Sequence, residues 1–245
     1  MSADKPKRIN KFLADQGLCS RREAEVLIQK GWVKVNHQVL TDLSYRVQPD
    51  DQVSVDAQAH DHLSQKQTVL INKPVGYVSG QAENGYPPAV RLIIPKNYAG
   101  ESPCPKVIQK GMAPAGRLDI DSTGLLIMTQ NGKLAKKIIG EHSRVEKEYL
   151  VDVEGKITPE KIKKLQFGLK LDGKTLREAK IKQLNKGHLQ FILTEGRKRQ
   201  IRRMCELVDL KVRTLKRVRI GSVRLGSLPL GSWCVLNPSN DDLFS

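Results

Sequence analysis

A chain of 245 residues with 39% hydrophobic content is long enough for one large domain and a small one, and that composition excludes disorder as the default. Aromatic residues make up only 4%, so aliphatic side chains must build the core and base stacking can rest on a few rings. Forty-two Lys and Arg against 26 Asp and Glu give a net charge of +16, the balance of a polyanion binder with nucleic acid as the leading partner.

In chain order, Ile9, Phe12 and Leu13 recur at helical spacing and Gly17 follows as a C′ residue, so residues 8–16 read as a short amphipathic helix. Ser20-Arg21-Arg22-Glu23 is a capping box that opens a second helix with Ala24, Leu27 and Ile28 inward and Gly31 at its end. Val33 to Val39 alternates around a polar turn, and Val53-Ser54-Val55 offers a third strand. Residues 8–56 thus form a small α+β unit. Arg21 and Arg22 fall in a first helical turn, where the macrodipole disfavours cations by roughly 0.3–1 kcal/mol each. A phosphate backbone would compensate; two side chains fanning into water are the alternative. Residues 56–67 are polar and aperiodic and read as a linker, with His60 and His62 solvated rather than metal-bound.

From residue 68 to 240 strands are expected at 69–71, 124–129, 147–153, 179–184, 188–194 and 212–220, and helices at 132–139, 159–166 and 198–208. Thr158-Pro159 supplies a cap and a first-turn proline, and Asn185-Lys186-Gly187 signals a hairpin. The pattern is a mixed α+β domain, not repeating βαβ. Residues 80–112, with their Pro and Gly, read as an extended insertion loop available to RNA.

Four cysteines, at 19, 104, 205 and 234, show neither a Cys-x-x-Cys pair nor zinc spacing, which fits free thiols in a reducing cytosol. The first eight residues lack the apolar core of a signal peptide, and no run approaches the roughly 18 apolar residues of a membrane span. The expectation is a cytoplasmic protein without membrane association.

Two segments carry chemistry. Gly116-Arg117-Leu118-Asp119-Ile120-Asp121-Ser122-Thr123-Gly124 sets an Arg and two Asp in a loop anchored by the apolar run Leu125 to Met128. By itself it could be a turn whose carboxylates cap amides, or a Mg²⁺ site on Asp119 and Asp121. Glu195 to Met204 opens a helix with Ile201, Met204, Cys205 and Val208 inward and Arg199, Arg202 and Arg203 off that stripe. Residues 194–220 hold 10 basic and 3 acidic side chains, a phosphate-binding face in which one Arg could instead turn inward to a carboxylate.

Taken together, Asn72-Lys73-Pro74-Val75-Gly76, the Gly-Arg-Leu-Asp segment, Lys147-Glu148-Tyr149-Leu150-Val151 and Gly196 to Met204 resemble, in order, the motifs of the RsuA-type pseudouridine synthases. The first unit, through Arg8-Ile9-Asn10-Lys11 and Cys19 to Ala24, resembles the S4 RNA-binding domain. Within the family, Gln200 to Glu206 and Leu228-Pro229-Leu230-Gly231-Ser232-Trp233 are most similar to the RluF branch.

The resemblance implies an S4-like domain with its linker at 7–67 and a mainly antiparallel catalytic domain at 68–240. It implies an isomerase that converts a uridine of 23S rRNA to pseudouridine, with Asp119 as nucleophile, Arg202 as its ion-pair partner and Tyr149 packed on the uracil. Arg117 would fill the space of the extruded nucleotide. Lys73, Arg197, Lys198, Arg199 and Arg203, with Arg8, Lys11, Arg21 and Arg22 of the first unit, are the expected RNA contacts; Lys73 and Pro74 would shape the pocket wall. The reaction is redox-neutral, so no cofactor and no metal are expected, and the chain should act as a monomer. Modification of 16S rRNA or tRNA, a non-enzymatic ribosome-binding or assembly role, and a metal-dependent nuclease are the alternatives.

Overall fold

The computed structural model describes residues 6–101, 103–236 and 244, so the last residues of the expected second domain, 237–240, lie outside the described residues. Two compact units divide it: residues up to Gln67 together with Gln130–Leu134, and Thr68–Thr129 together with Ala135 onward. Among the described residues no helix is long and apolar enough to cross a membrane.

In the first unit a short strand β1 (Lys7–Arg8) leads into helices α1 (Ile9–Asp15) and α2 (Arg21–Gln29). The capping box is complete: the Ser20 amide donates to Glu23 Oε2 at 2.7 Å and the Glu23 amide to Ser20 Oγ at 3.3 Å, an arrangement that stabilises a helix start by about 1 kcal/mol. Ala24, Leu27 and Ile28 are fully buried, as the spacing predicts. Strands β2 (Val33–Val35) and β3 (Gln38–Val39) join through Asn36 and His37, both at positive φ, which a tight hairpin turn requires. After β4 (Arg46–Val47), which pairs with β1, β5 (Val53–Val55) pairs with β2.

One expectation fails here. Residues 56–67 are not an aperiodic linker but hold helix α3 (Ala57–Ser64), whose Ala59 is fully buried and whose His62 ring stands edge-on to Trp32 at 5.5 Å. Of its apolar residues only Ala59 and Leu63 pack on the core, a stripe too sparse to show as periodicity. Burial and the lysines Lys66 and Lys30 lower the His62 pKa.

The second unit is a mixed sheet with helices. Its strands and helices are β6 (Thr68–Lys73), β7 (Ala113–Pro114), β8 (Thr123–Thr129), α4 (Gly132–Ile139), β9 (Lys147–Glu154), α5 (Pro159–Gln166), β10 (Lys170–Leu171), β11 (Lys174–Thr175), β12 (Lys180–Asn185), β13 (His188–Leu193), α6 (Gln200–Glu206), β14 (Lys211–Ile220), β15 (Val223–Arg224) and β16 (Trp233–Val235). The main path runs β12-β13-β9-β14-β8-β6-β16. All its neighbours are antiparallel except β14 and β8. The expected mixed, mainly antiparallel α+β fold is therefore present, and α5 and α6 cover the sheet face that carries Tyr149, Val151 and Val153. The expected helix 198–208 is shortened to Gln200–Glu206; at its start, Arg199 takes a left-handed conformation at φ 52°.

Register decides what meets the site. Phe191 lies opposite Tyr149, Tyr149 opposite Arg217, Arg217 opposite Gly124 and Gly124 opposite Lys73, so five strands contribute one transverse row. Gly124 has no substitute there: φ is +102° and a Cβ would lie 2.2 Å from the Arg217 carbonyl oxygen. Residues 80–112 are also more ordered than an open insertion. They make two 3-10 turns, bury Ala89, Leu92 and Ile93, and tie to Trp233, whose Nε1 donates to the Ile94 carbonyl at 2.8 Å.

Candidate active site and nucleic-acid interface

The loop from Gly116 to Ser122 leaves β7 and enters β8, and both of its ends are pinned. The Ser79 hydroxyl accepts from the Leu118 amide at 2.8 Å and donates to the Leu118 carbonyl at 2.7 Å. Arg217, with 1% of its surface exposed, donates from Nε to the Leu125 carbonyl at 2.8 Å, from Nη1 to that of Arg117 at 3.3 Å and from Nη2 to that of Gly116 at 3.0 Å. Its guanidinium also stands 6.0 Å from the Tyr149 ring centre. The loop edge, the start of α6 and the inward face of β9 and β14 enclose a cleft of about 730 Å³.

Asp119, Tyr149 and Arg202 all line this cleft, as do Arg117, Lys198 and Arg199. Asp119 is half-buried, and its carboxylate makes no hydrogen bond or ion pair among the described residues. Tyr149 is 8% exposed and belongs to both the core and the cleft wall. Arg117 is exposed, without a side-chain partner among the described residues.

Arg202 departs from expectation. It is buried as an inward-turned Arg should be, but its Nε lies 3.3 Å from Asp121 Oδ2 and its Nη2 donates to the Asp121 carbonyl at 3.0 Å. Asp121, not Asp119, also receives Arg199, whose Nη1 and Nη2 both reach Asp121 Oδ2 at 3.1 Å. That pairing raises the Arg199 pKa. The reason lies in the left-handed turn at Arg199, which starts α6 so that both guanidiniums meet the loop at Asp121. The Nε contact to Asp121 is an ion pair in distance only: that nitrogen is buried and aligned with no acceptor.

Other expected RNA contacts are engaged within the protein. Arg203 forms a two-pronged pair with Asp172, at 2.9 and 2.7 Å, outside the cleft. Arg197 donates to the carbonyls of Leu171, Lys174 and Thr175 and so holds the β10-β11 turn. Lys73 is not placed to contact RNA. It ends the row fully buried, and its Nζ donates to the carbonyls of Pro74 and Tyr77 at 2.8 and 2.9 Å. Burial pushes its pKa down to about 8, against the pull of Asp121 and Asp119.

Three cations of the site are given no role by the sequence, although Lys147 opens one of the motifs. Besides Arg217, Arg177 donates to the carbonyls of Ser143, Thr194 and Glu141 on the cleft rim. Lys147, 6% exposed, lines the cleft with its Nζ on the Val145 carbonyl; burial, then Arg217 and Arg177, push its pKa down to about 8. The signal available in the sequence is alternation: Lys147 shares a strand face with Tyr149, and Arg217 with Leu215. Among the described residues no cluster of three or more His, Cys, Asp or Glu is placed to hold a metal ion.

In the first unit, Arg8, Lys11 and Arg21 line a cleft of about 360 Å³ together with Lys7 and Arg46. Arg22 is exposed beside Arg21 in the first turn of α2 but does not line that cleft.

Two family models match the chain. The sequence model of the RNA pseudouridylate synthase family matches residues 67–207, and that of the S4 domain matches residues 7–53. The dual-specificity RNA pseudouridine synthase RluF of Escherichia coli (strain K12) is 37% identical over 235 residues, which cover 95% of this chain and 76% of the relative. The ribosomal large subunit pseudouridine synthase B of Bacillus subtilis (strain 168) is 35% identical over 217 residues, covering 86% and 84%. A crystal structure of a pseudouridylate synthase matches with a TM-score of 0.67 at 25% identity, covering 96% of this chain and 99% of that one.

Proposed function

The chain belongs to the RNA pseudouridylate synthase family, an isomerase family, and from that premise we propose that it converts a uridine of 23S rRNA to pseudouridine with Asp119 as the nucleophile. One observation supports this above the others: Asp119, Tyr149 and Arg117, whose side chain has no partner among the described residues, share a single cleft in which Lys and Arg outnumber Asp and Glu. An extruded uridine would place its base on the Tyr149 ring while Arg117 takes its place in the RNA, offsetting part of an unstacking cost of a few kcal/mol. The Asp119 carboxylate, without a hydrogen bond or ion pair among the described residues, adds to the sugar or to the base; the C1′–N1 bond breaks and the uracil turns. The C1′–C5 bond then forms, the bond to Asp119 breaks and returns the free carboxylate, C5 loses its proton and N1 gains one. No atom or electron is left over, so the balance needs no cofactor.

The large-subunit assignment is supported by the name of the Bacillus subtilis relative. The dual specificity in the name of the Escherichia coli relative favours a second RNA substrate, for which tRNA is the candidate. The S4 match and the basic cleft of Arg8, Lys11 and Arg21 support RNA capture by the first unit.

The test is Asp119→Asn, assayed by carbodiimide-blocked primer extension on 23S rRNA and on tRNA. The variant should bind RNA with unchanged affinity and form no pseudouridine. Product at the native rate would sink the nucleophile assignment, and activity lost in excess EDTA would restore the metal-dependent alternative on Asp119 and Asp121.

A further inference from the structure

Among the described residues the Asp119 carboxylate has no hydrogen-bond or ion-pair partner, so its position is inherited from the backbone of its loop. Several groups hold that backbone. Ser79 fixes Leu118, the Gly76 amide donates to the Ile120 carbonyl at 3.0 Å, and Arg202 Nη2 donates to that of Asp121. Arg217 fixes Gly116 and Arg117, and it alone also reaches the strand, through the Leu125 carbonyl, and the ring of Tyr149.

A guanidinium at 1% exposure with no carboxylate partner is costly unless its donors are met. Here the compensation comes from three carbonyl oxygens on two different segments and from the electron-rich ring face. The planar fork is essential to that geometry: Nε faces β8 while both Nη groups face the loop, a spread that a single ammonium cannot span. The backbone of Arg217 is equally fixed, since it runs against Gly124 where no side chain can intervene.

We infer that Arg217 is a positioning residue for the isomerisation: it sets the loop that carries Asp119 at a fixed offset from the ring of Tyr149. It touches neither of the atoms that react. Its effect runs through the loop carbonyls on one side and the tyrosine ring on the other, so its loss should slow the chemical step and leave RNA capture intact. The inference rests on the reading of Asp119 as the acting carboxylate, and the two can fail separately: an active Asp119→Asn removes that reading, whereas an active Arg217→Lys removes only this one.

The experiment compares Arg217→Lys, Arg217→Ala and Gly116→Ala on the full chain, with single-turnover rate and RNA affinity measured separately. Arg217→Lys keeps the charge and loses the fork. It should lose at least about 100-fold in rate, the cost of a misplacement near 1 Å, with RNA affinity within twofold. In Arg217→Ala, millimolar methylguanidinium should restore part of the rate without changing RNA affinity. Gly116→Ala leaves Arg217 in place but shifts the carbonyl it holds, since a Cβ there sits at φ +102°, 3.3 Å from Ile139 Cγ2 and 3.8 Å from Arg217 Nη1. It should show the same split between rate and affinity and decides the matter if neither Arg217 variant folds. Native rate in folded Arg217→Lys or in Gly116→Ala, a parallel loss of rate and affinity, or methylguanidinium that stabilises the fold without restoring rate would each overturn the inference.

Discussion

Arg202 is paired with Asp121 and not with Asp119: Nε and Oδ2 are 3.3 Å apart, and Nη2 donates to the Asp121 carbonyl at 3.0 Å. Because Arg199 grips the same carboxylate through both Nη groups, Asp121 is the tie between the loop and the start of α6. Among the described residues the Asp119 carboxylate is left without a hydrogen bond or ion pair, which suits the proposed nucleophile.

Asp121→Asn should therefore do more than remove a surface charge. With Asp121 about two-fifths exposed, the stability loss should stay near 1 kcal/mol, while the turnover rate falls tenfold or more because two guanidiniums lose their common anchor. Denaturant unfolding and single-turnover assays check the two parts. Native rate in this variant would mean that the tie is dispensable.

Arg21 and Arg22 open α2, both exposed, with Arg21 in the basic cleft of the first unit. Replacing both by Ala should weaken RNA binding and lower the slope of log K against log salt by about 0.7–0.9 for each phosphate that is no longer neutralised. Filter binding over a salt series reads this directly. An unchanged slope would return both side chains to solvent.

Gly124→Ala should destabilise the second unit by about 3 kcal/mol or more, because a Cβ placed 2.2 Å from the Arg217 carbonyl must push two strands apart. Trp233, 1% exposed in that unit, reports the transition once Trp32 of the first unit is changed to Phe. A midpoint within experimental error of the parent would contradict the register of β8 on β14.

Lys73 carries a pH dependence of known sign. Burial puts its pKa near 8 in the folded protein against an ordinary 10.5. The cost of burying its charge is fully present below pH 8. Between about pH 8 and 10.5 the unfolded chain binds the extra proton, so the contribution of Lys73 to stability rises with pH across that window. Relative to Lys73→Met, the native protein should gain up to about 3 kcal/mol from pH 8 to 10.5. A difference that stays flat, or shrinks, would show that the amine keeps its proton.

Much of this molecule is legible in one dimension because its elements announce themselves locally. The capping box at Ser20 and the stripe Ala24, Leu27, Ile28 define α2 without reference to anything distant. Helix α5 begins where Thr158-Pro159 says it must, and the β12-β13 hairpin turns at Lys186-Gly187. The exceptions are elements whose stability is not local. Helix α3 shows only two inward residues, and the pieces of residues 80–112 are ordered by packing against Trp233 rather than by propensity.

The sequence by itself determined the order of the motifs, the α+β class and the family, and it singled out Asp119 and Tyr149 as candidates for one site. Only the tertiary structure decided what each cation does. Counting basic residues treats Arg117, Arg197, Arg203 and Arg217 alike. In three dimensions the first is free, the second clamps a turn, the third is taken up by Asp172 and the fourth is buried against the loop that carries Asp119. The reason is physical: a guanidinium goes wherever its donors are best met, and carbonyls and carboxylates from strands distant in sequence become neighbours only when the sheet sets their register.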